Sequence, residues 1–385
     1  YDKNFDNVIN RSRKVAQTMS KGVNFLMKKN NIKIFEGFGK LSPNKTINIT
    51  DQNGSESKIT GEKIIIATGA RSRELPFLKK DGKRIIGYRE AMTLDKQPKD
   101  IVIVGSGAIG IEFAYFYNSM GTSVTIVEYM DRIVPVEDSE ISKELEKSLK
   151  KKGINILTST EVEKAEINSS NTVDVTLKTS NGKKNIINTE IVLSAVGIKT
   201  NIENIGLEDL GIKIEKDKIL VDDFYMTNVK DYYAIGDVVK GQALAHVASA
   251  EGILCVEKIA GHDVNPLDYN NIPGCTYCSP EIASVGFTEQ QAIDNGYDIK
   301  IGKFPFSASG KSEGFVKVIF DAKYGEWLGC HMIGEGVTDM IAEAVVGRKL
   351  ETTGYEILKT VHPHPTMSEA VMEAVAAAYD EVIHL

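Results

Sequence analysis

An α/β fold is predicted for this chain of 385 residues: two doubly wound units, the first lacking its opening half, and a C-terminal α+β domain. Three observations predict it. "KDIVIV" at 99–104 is apolar on both faces and leads into a glycine turn and a helical stretch, the order of a parallel strand feeding a crossover helix. The path from "IKIFEGFGK" to "KIIIATGA" repeats, element for element, the path from "INILTSTEVEKAE" to "IVLSAVGI". Beyond residue 270 short strands alternate with helices in a different rhythm, as in an antiparallel sheet with helices to one side.

Taken in order, residues 5–29 carry Val8, Val15, Met19, Val23 and Leu26 at helical spacing and predict one helix with a lysine- and asparagine-rich stop. "IKIFEGFG" reads as a strand, followed by a hairpin around "DQNGS" and the strand "KIIIATGA". After "KDIVIV" come a helix over 108–120, the strand "TSVTIVE", a helix over 139–152, the strand "INILTS", a hairpin around "SNGKK" and the strand "EIVLSAVG". The last domain adds "CTYCSPEIASVGFT", "KFPFSA" and "FVKVIFDAKYGEWLGCHMIG" as strands, with helices over 335–346 and 366–383. The second copy of the repeat is preceded by a full strand–turn–helix–strand unit and the first only by the helix at 5–29, so the first copy is expected to lack its opening half. The expected domains are 1–97, the end of the first nucleotide-binding domain; 98–199, a complete second one; 200–269, a return to the first; and 270–385, a separate α+β domain.

Composition narrows the function classes. A net charge of −7 and a pI near 5.6 argue against a nucleic-acid footprint, which needs clustered lysine and arginine. The basic run at 147–152 reads as the solvated end of a helix, where cations favour the dipole. No apolar stretch reaches the ~20 residues of a membrane span, and no signal-peptide pattern opens the sequence. Four scattered cysteines do not make a disulfide scaffold. Cys275 and Cys278 form a CxxC, but a spacing of three in an extended segment sends the side chains to opposite faces, and no second CxxC completes a zinc site. The pair reads as two small strand residues, and no metal is expected.

"IVIVGSGAIGIEFA" sets Gly105, Gly107 and Gly110 between strand and helix, the Rossmann-type order. The first glycine serves the tight turn, the second lets backbone approach a pyrophosphate, and the third lets helix and strand pack closely. Free N–H groups at the helix start, from Ser106, Ala108 and Ile109 onward, suit phosphate oxygens. Glu128 ends the next strand 23 residues beyond Gly105, where a carboxylate accepts from ribose hydroxyls. Tyr129 and Met130 follow, with no arginine to meet a 2′-phosphate, so NAD is favoured over NADP. Glu112, one turn into the helix, is either a solvated first-turn acid or a residue turned toward a redox centre; spacing leaves both open.

"DYYAIGDVV" places Gly236 and Asp237 after a strand: the glycine permits close approach, and the aspartate suits a polyol hydroxyl. Taken in order with "ATGA", the glycine turn, "AVG" and the closing "HPHPTMSEA", the chain resembles the flavin-dependent disulfide oxidoreductases over its whole length. "VEYMDRIVPVEDSEIS" and "TYCSPEIASVGFTEQQA" most resemble the branch that oxidises dihydrolipoamide. The resemblance implies that Gly39, Thr68, Gly69, Ala70, Gly236, Asp237, Ala243, Leu244, Ala245 and His246 meet FAD, the last through its backbone. It implies that Gly105 through Gly110, Glu128, Val162 and Gly197 hold NAD, and that Glu112 lies beside the flavin ring, where the family pairs it with a lysine. The C-terminal domain would make a homodimer, serving the lipoyl domain of a 2-oxoacid dehydrogenase complex in a bacterial cytoplasm or an organelle matrix. The family also opens with its own FAD-binding glycine motif, a Cys-x₄-Cys disulfide and that lysine. None stands in these residues, where no two cysteines are five apart, and the chain is expected to begin beyond them.

By the same resemblance His364 is the general base that takes a proton from a dihydrolipoamide thiol, because only the thiolate attacks a disulfide. Glu369 would fix its tautomer from the other ring nitrogen. Spacing alone favours a different role for Glu369, since Thr366-x-x-Glu369 is also a capping box. His362 reads as a loop residue. A glutathione-reductase-like member would carry basic residues after the second nucleotide strand, and a mercuric-reductase-like one would end in paired cysteines; this chain ends "DEVIHL". A rival from another class is a catalytically silent NAD-binding and dimerising remnant.

Overall fold

The computed structural model describes residues 3–309 and 313–384, and it is a mixed α/β protein that divides into two compact units. One unit takes Arg73–Gly197 and Asn270–Leu385 with the tip of the first helix; the other takes Asp6–Ser72 and Ile198–Tyr269.

The first unit is built on a five-stranded parallel sheet in the spatial order Ile85–Ile86, Ile191–Ser194, Asp100–Val104, Ser123–Val127, Asn155–Leu157. Four residues of Asp100–Val104 are buried, as a strand covered on both faces requires. Residues 73–97, expected with the first domain, contribute the edge strand of this sheet instead. Thr160–Ile167, Val173–Thr179 and Lys184–Thr189 form an antiparallel sheet, whose Val162, Val173, Val175 and Leu177 pack with Val104 and Val127.

The C-terminal part of this unit is a five-stranded antiparallel sheet in the order Gly274–Thr276, Glu281–Gly286, Trp327–Gly334, Phe315–Asp321, Ile299–Pro305. Phe315–Asp321 is buried along its full length. Val316, Val318 and Phe320 belong to a core shared with the helices Val337–Lys349 and Glu369–Ala378. The alternate residue Lys317, fully buried, turns its ammonium to Asp138 (3.0 Å), Glu140 (2.9 Å) and Glu289 (2.5 Å). Asp138 is the N-cap of the helix Ser139–Lys151 and accepts the Glu140 N–H at 3.0 Å and the Glu289 N–H at 3.2 Å. One ion cluster therefore fastens the crossover helix of the parallel sheet to the antiparallel sheet.

The second unit opens with the helix Phe5–Lys29, as its periodicity predicts. Its apolar stripe is nevertheless exposed: Val15 is 50%, Met19 68%, Val23 55% and Leu26 49% accessible. "IKIFEGFG" begins a strand only at Phe38, and Ile32, Ile34 and Phe35 are exposed without a ladder. Alternation of apolar residues suits a strand only where a partner supplies hydrogen bonds. Three antiparallel strands follow (Phe38–Ser42, Thr46–Thr50, Glu56–Thr60), then Ile64–Ile66, which pairs in parallel with Tyr232–Ala234. The repeat read from the sequence is thus present as element order: in each unit a three-stranded antiparallel sheet precedes a strand that joins a parallel ladder.

Burial opposes ionisation of Asp138, but the Glu140 N–H and the Lys317 ammonium outweigh it and hold the carboxyl below its ordinary value. A carboxyl depressed on folding contributes stability above its unfolded value and loses it as pH falls through the folded one. Lys317→Met is expected to cost about 3–5 kcal/mol, the range for removing one partner of a buried pair, read as a lower urea midpoint. Adding Asp138→Asn, which keeps an N-cap acceptor, should restore part of the loss. An unchanged midpoint in Lys317→Met would remove the cluster from this account.

Candidate active site

Gly105 follows the strand Asp100–Val104 with φ +99°, and a Cβ there would stand 2.5 Å from the Ala195 carbonyl oxygen. A Cβ on Gly110 would stand 2.1 Å from the Gly105 carbonyl oxygen, so the helix Ala108–Met120 meets the turn backbone to backbone. A Cβ on Gly107 would meet nothing within 4 Å. Two of the glycines are thus consumed by packing, and the third opens space before the N–H groups of a 13-residue helix. Ala108 and Ile109 form the first turn of that helix. Gly105, Glu128 and the Gly197 turn (φ +98°) follow the carboxyl ends of three adjacent parallel strands, where ligands of such sheets bind.

Glu128 is buried, and its carboxylate is already engaged. Oε2 accepts from the Ser106 N–H (2.9 Å) and hydroxyl (2.6 Å), and Oε1 accepts from the Met130 N–H (2.8 Å). The residue expected to receive ribose hydroxyls therefore also ties the glycine turn to its neighbouring strand, a duty that motif reading missed. Oε1 keeps a lone pair for a ligand hydroxyl beside the Met130 N–H. Val162 is 4% exposed within the core, so what it offers a nucleotide is backbone. Glu112 is neither a freely solvated acid nor unpaired: Oε1 accepts the Tyr277 N–H at 3.0 Å, and burial pushes its carboxyl up against that bond.

In the second unit, Thr68 and Gly69 follow the strand Ile64–Ile66, and Gly236 and Asp237 follow its parallel neighbour Tyr232–Ala234. The Ile235 N–H donates to the Ile66 carbonyl at 3.0 Å, so the two turns leave one sheet edge side by side. Gly69 (φ +68°) has no atom within 4 Å of a Cβ position. Thr68 donates to the Asn201 carbonyl (2.7 Å), and the Asn201 amide donates back to the Thr68 carbonyl (3.0 Å). Gly39 and Thr68 line one cavity of about 440 Å³ with Arg71, whose guanidinium forks onto Glu203 at 2.7 and 3.0 Å. Ala70 begins the strand that leads from this turn. Ala243 and Leu244 precede the helix Ala245–Ile259, which begins with Ala245 and His246.

His364 and Glu369 meet. Nδ1 of the imidazole lies 2.9 Å from Glu369 Oε1, and the histidine side chain is 81% exposed. Glu369 Oε2 accepts the Thr366 N–H at 2.9 Å, so one carboxylate serves both the turn and the ring. The N–H bond of the capping box is present, but the helix starts at Glu369 with Ser368 as N-cap, three residues later than predicted. The Thr366 hydroxyl bonds the Pro363 carbonyl and the Ser368 hydroxyl instead. The Thr366 N–H and the imidazole hold the Glu369 carboxyl below its ordinary value. Gly302 seats this helix on the sheet: a Cβ there would fall 1.8 Å from the Ala374 carbonyl oxygen. The site opens on a cavity of about 450 Å³ lined by His364, Thr366, Glu369, Met372, Glu373 and His384, among others. His362, read as a loop residue, has its side chain 5% exposed and Nε2 2.7 Å from Glu343.

All four cysteines are free. Cys275 lies in the strand Gly274–Thr276, whereas Cys278 lies beyond it, buried, with its S–H donating to the Pro280 carbonyl at 3.0 Å. Burial pushes the Cys278 thiol up to about 12 and raises that of Cys275, which disfavours the thiolate that redox or metal chemistry needs. Among the described residues no group of three or more His, Cys, Asp or Glu could hold a metal ion, and no helix is long and apolar enough to cross a membrane.

Residues 2–252 match the family model described as pyridine nucleotide-disulphide oxidoreductase, and residues 272–375 match that family's dimerisation domain. The chain is 46% identical to the dihydrolipoyl dehydrogenase of Rhizobium etli over 98% of its own length and 82% of the relative's. It is 45% identical to that of Zymomonas mobilis over 100% and 84%, and 44% identical to that of Bacillus subtilis over 99% and 83%. In fold it is similar to Mycobacterium tuberculosis LpdA, with a TM-score of 0.90 at 24% identity across 97% of this chain and 83% of that one. The HOCl-induced flavoprotein disulfide reductase RclA of Escherichia coli gives 0.85 at 24% identity across 97% and 86%. With its two family-model matches and relatives 44–46% identical over nearly its whole length, the chain belongs to the pyridine nucleotide-disulphide oxidoreductases.

Proposed function

We propose that the protein is a dihydrolipoyl dehydrogenase, oxidising the dithiol of a dihydrolipoyl group to the cyclic disulfide and reducing NAD⁺ to NADH with release of a proton. The observation that carries this reading is the His364–Glu369 pair, 2.9 Å apart beside an open cavity, in a chain 46% identical to a dihydrolipoyl dehydrogenase across nearly all its length.

Both cofactors fit the residues present. Gly107 would leave room for the NAD pyrophosphate against the helix N–H groups, Glu128 Oε1 would accept from a ribose hydroxyl, and Gly105, Ser106, Ala108, Ile109, Gly110, Val162 and Gly197 would line the site. Gly39, Thr68, Gly69, Ala70, Gly236, Asp237 and the 243–246 segment would hold FAD along the shared edge of two parallel strands, with Asp237 on a hydroxyl of its polyol chain. FAD supplies the two-electron chemistry between dithiol and nicotinamide. Glu112, held by the Tyr277 N–H, would take part in cofactor binding.

The chain's own part in the dithiol half-reaction is proton transfer. His364 takes the proton of a substrate thiol at Nε2, because Nδ1 is committed to Glu369. Glu369 keeps that tautomer and offsets the imidazolium charge once the proton has moved, while the Thr366 N–H keeps the carboxylate aimed. Imidazole suits the task because one ring nitrogen can accept a proton while the other stays bonded to its carboxylate. The 272–375 domain supports a homodimer, with the lipoyl domain of a 2-oxoacid dehydrogenase complex as the substrate carrier. The bacterial origin of the similar dehydrogenases supports a bacterial cytoplasmic setting.

In the FAD-loaded enzyme, His364→Gln is expected to lower lipoamide turnover by about 10²–10⁴-fold, the range for losing a general base. NADH oxidation by an artificial acceptor should survive; equal loss of both activities would count against the assigned role. Gly107→Ala should raise the Kd for NAD⁺ with an unchanged melting temperature, since its Cβ meets only open space. Gly110→Ala should cost about 1–3 kcal/mol of stability through overpacking. If Gly107→Ala binds NAD⁺ normally, the pyrophosphate does not cross this turn.

A further inference from the structure

Glu251 lies on the helix Ala245–Ile259, 1% exposed, beside the cluster of Tyr225, Tyr233 and Cys255. A carboxylate withdrawn from water costs several kcal/mol unless its oxygens are satisfied, and both partners here come from outside the helix. Oε2 accepts the Gly236 N–H at 2.6 Å, and Oε1 accepts the Tyr269 hydroxyl at 2.6 Å. The Tyr269 oxygen is also 3.2 Å from the Tyr225 hydroxyl.

The placement of those donors gives the arrangement its meaning. Gly236 (φ +73°) opens the turn that carries Asp237, and a Cβ there would already touch Ala248 at 3.3 Å. Gly241 (φ +136°) lies in the middle of the same loop, and its Cβ position is 2.8 Å from the Tyr269 ring. Glu251 therefore holds the loop at its first residue, and Tyr269, itself held by Glu251, braces it halfway. Lys218 adds a third tie, donating to the Asp237 carbonyl at 2.5 Å. The loop ends at 243–246, where the helix begins.

We propose that Glu251 and Tyr269 are the positioning residues of the flavin-binding loop, fixing through the Gly236 N–H and the Gly241 backbone where Asp237 meets the FAD polyol. The proposal rests on the reading of Asp237 as a flavin contact. Neither residue need touch the cofactor. A carboxylate suits the position because Gly236 and Tyr269 both donate; a glutamine would also serve. Its oxygen takes the Gly236 N–H, and its amide donates to a Tyr269 hydroxyl that turns toward Tyr225.

The test compares Glu251→Gln, Glu251→Ala, Tyr269→Phe and Asp237→Ala in the FAD-loaded enzyme. FAD dissociation is followed by flavin fluorescence and the melting temperature by circular dichroism. Glu251→Ala should weaken FAD about tenfold or more, the equivalent of one or two lost buried hydrogen bonds. Glu251→Gln should stay within about threefold of the parent, and Tyr269→Phe should fall between them with a lowered melting temperature, because it takes the hydroxyl donor from Glu251 Oε1. Should Glu251→Ala not fold, Tyr269→Phe decides: weakened FAD supports the proposal, and parental affinity overturns it. Parental affinity in Glu251→Ala, or a Gln variant as weak as Ala, would also overturn it. Asp237→Ala separates the two layers. If it weakens FAD while Glu251→Ala does not, the positioning role alone fails; if it leaves FAD untouched, the flavin reading of Asp237 fails.

Discussion

The chemistry of the first unit depends on a fully buried ammonium. Lys317 stands on a strand whose other face is hydrocarbon core, yet it reaches the N-cap carboxylate of the crossover helix Ser139–Lys151. Hydrophobic contact alone would let a helix slide on a sheet, because dispersion is not directional. An ammonium with Asp138 at 3.0 Å and Glu140 at 2.9 Å admits one register. That register sets the parallel sheet carrying the glycine turn against the antiparallel sheet carrying the helix Glu369–Ala378, and so relates the nucleotide turn to the imidazole within one unit. A buried charge is costly by itself, and its three carboxylate neighbours on two segments are what make it tolerable.

A second pattern recurs where the backbone turns. Glu128 joins the Ser106 N–H to the Met130 N–H, Glu369 joins the Thr366 N–H to His364, and Glu251 joins the Gly236 N–H to Tyr269. Each carboxylate gives one oxygen to a turn N–H and the other to a second group, so one side chain fixes two groups together. Environment separates them: Glu369, in contact with water, is held below its ordinary value by its donors, whereas burial lifts Glu251 above it despite the same kind of donors. On the proposed reading the carboxylate beside the base would have to remain charged to steady an imidazolium, and exposure would favour that. One that only accepts from a loop has no such need.

Periodicity and glycine spacing made most of the fold legible. The 3.6-residue pattern located the helices Ala108–Met120 and Ser139–Lys151 because each rests on a sheet that rewards it. The same pattern in Phe5–Lys29 identified a helix correctly but implied burial that the described residues do not provide. Strand edges were harder: the path into Phe38–Ser42 has strand-like residues but no ladder until Phe38. In the candidate site, residues defined by local chemistry, such as Gly105 and Gly110, could be found from spacing, whereas the His364–Glu369 pair came from the family resemblance, since spacing alone favoured a cap for Glu369. Lys317, Glu251 and the contact of Glu112 with the Tyr277 N–H could not, because their partners lie far along the chain and no local motif announces them.

The division of labour between sulfur and imidazole follows from burial. Cys278 and Cys330 are 5% and 0% exposed, and burial raises both thiols, so neither is a ready source of thiolate. His364 is the opposite case, an 81% exposed side chain with one nitrogen tethered and the other left for exchange. On the proposed reading such an exposed base would serve a thiol that arrives from solvent rather than these buried ones. On that reading a dithiol on a mobile carrier would meet the requirement, delivered to the surface and withdrawn once oxidised. The cavity of about 450 Å³ beside His364 would receive that dithiol on the proposed reading.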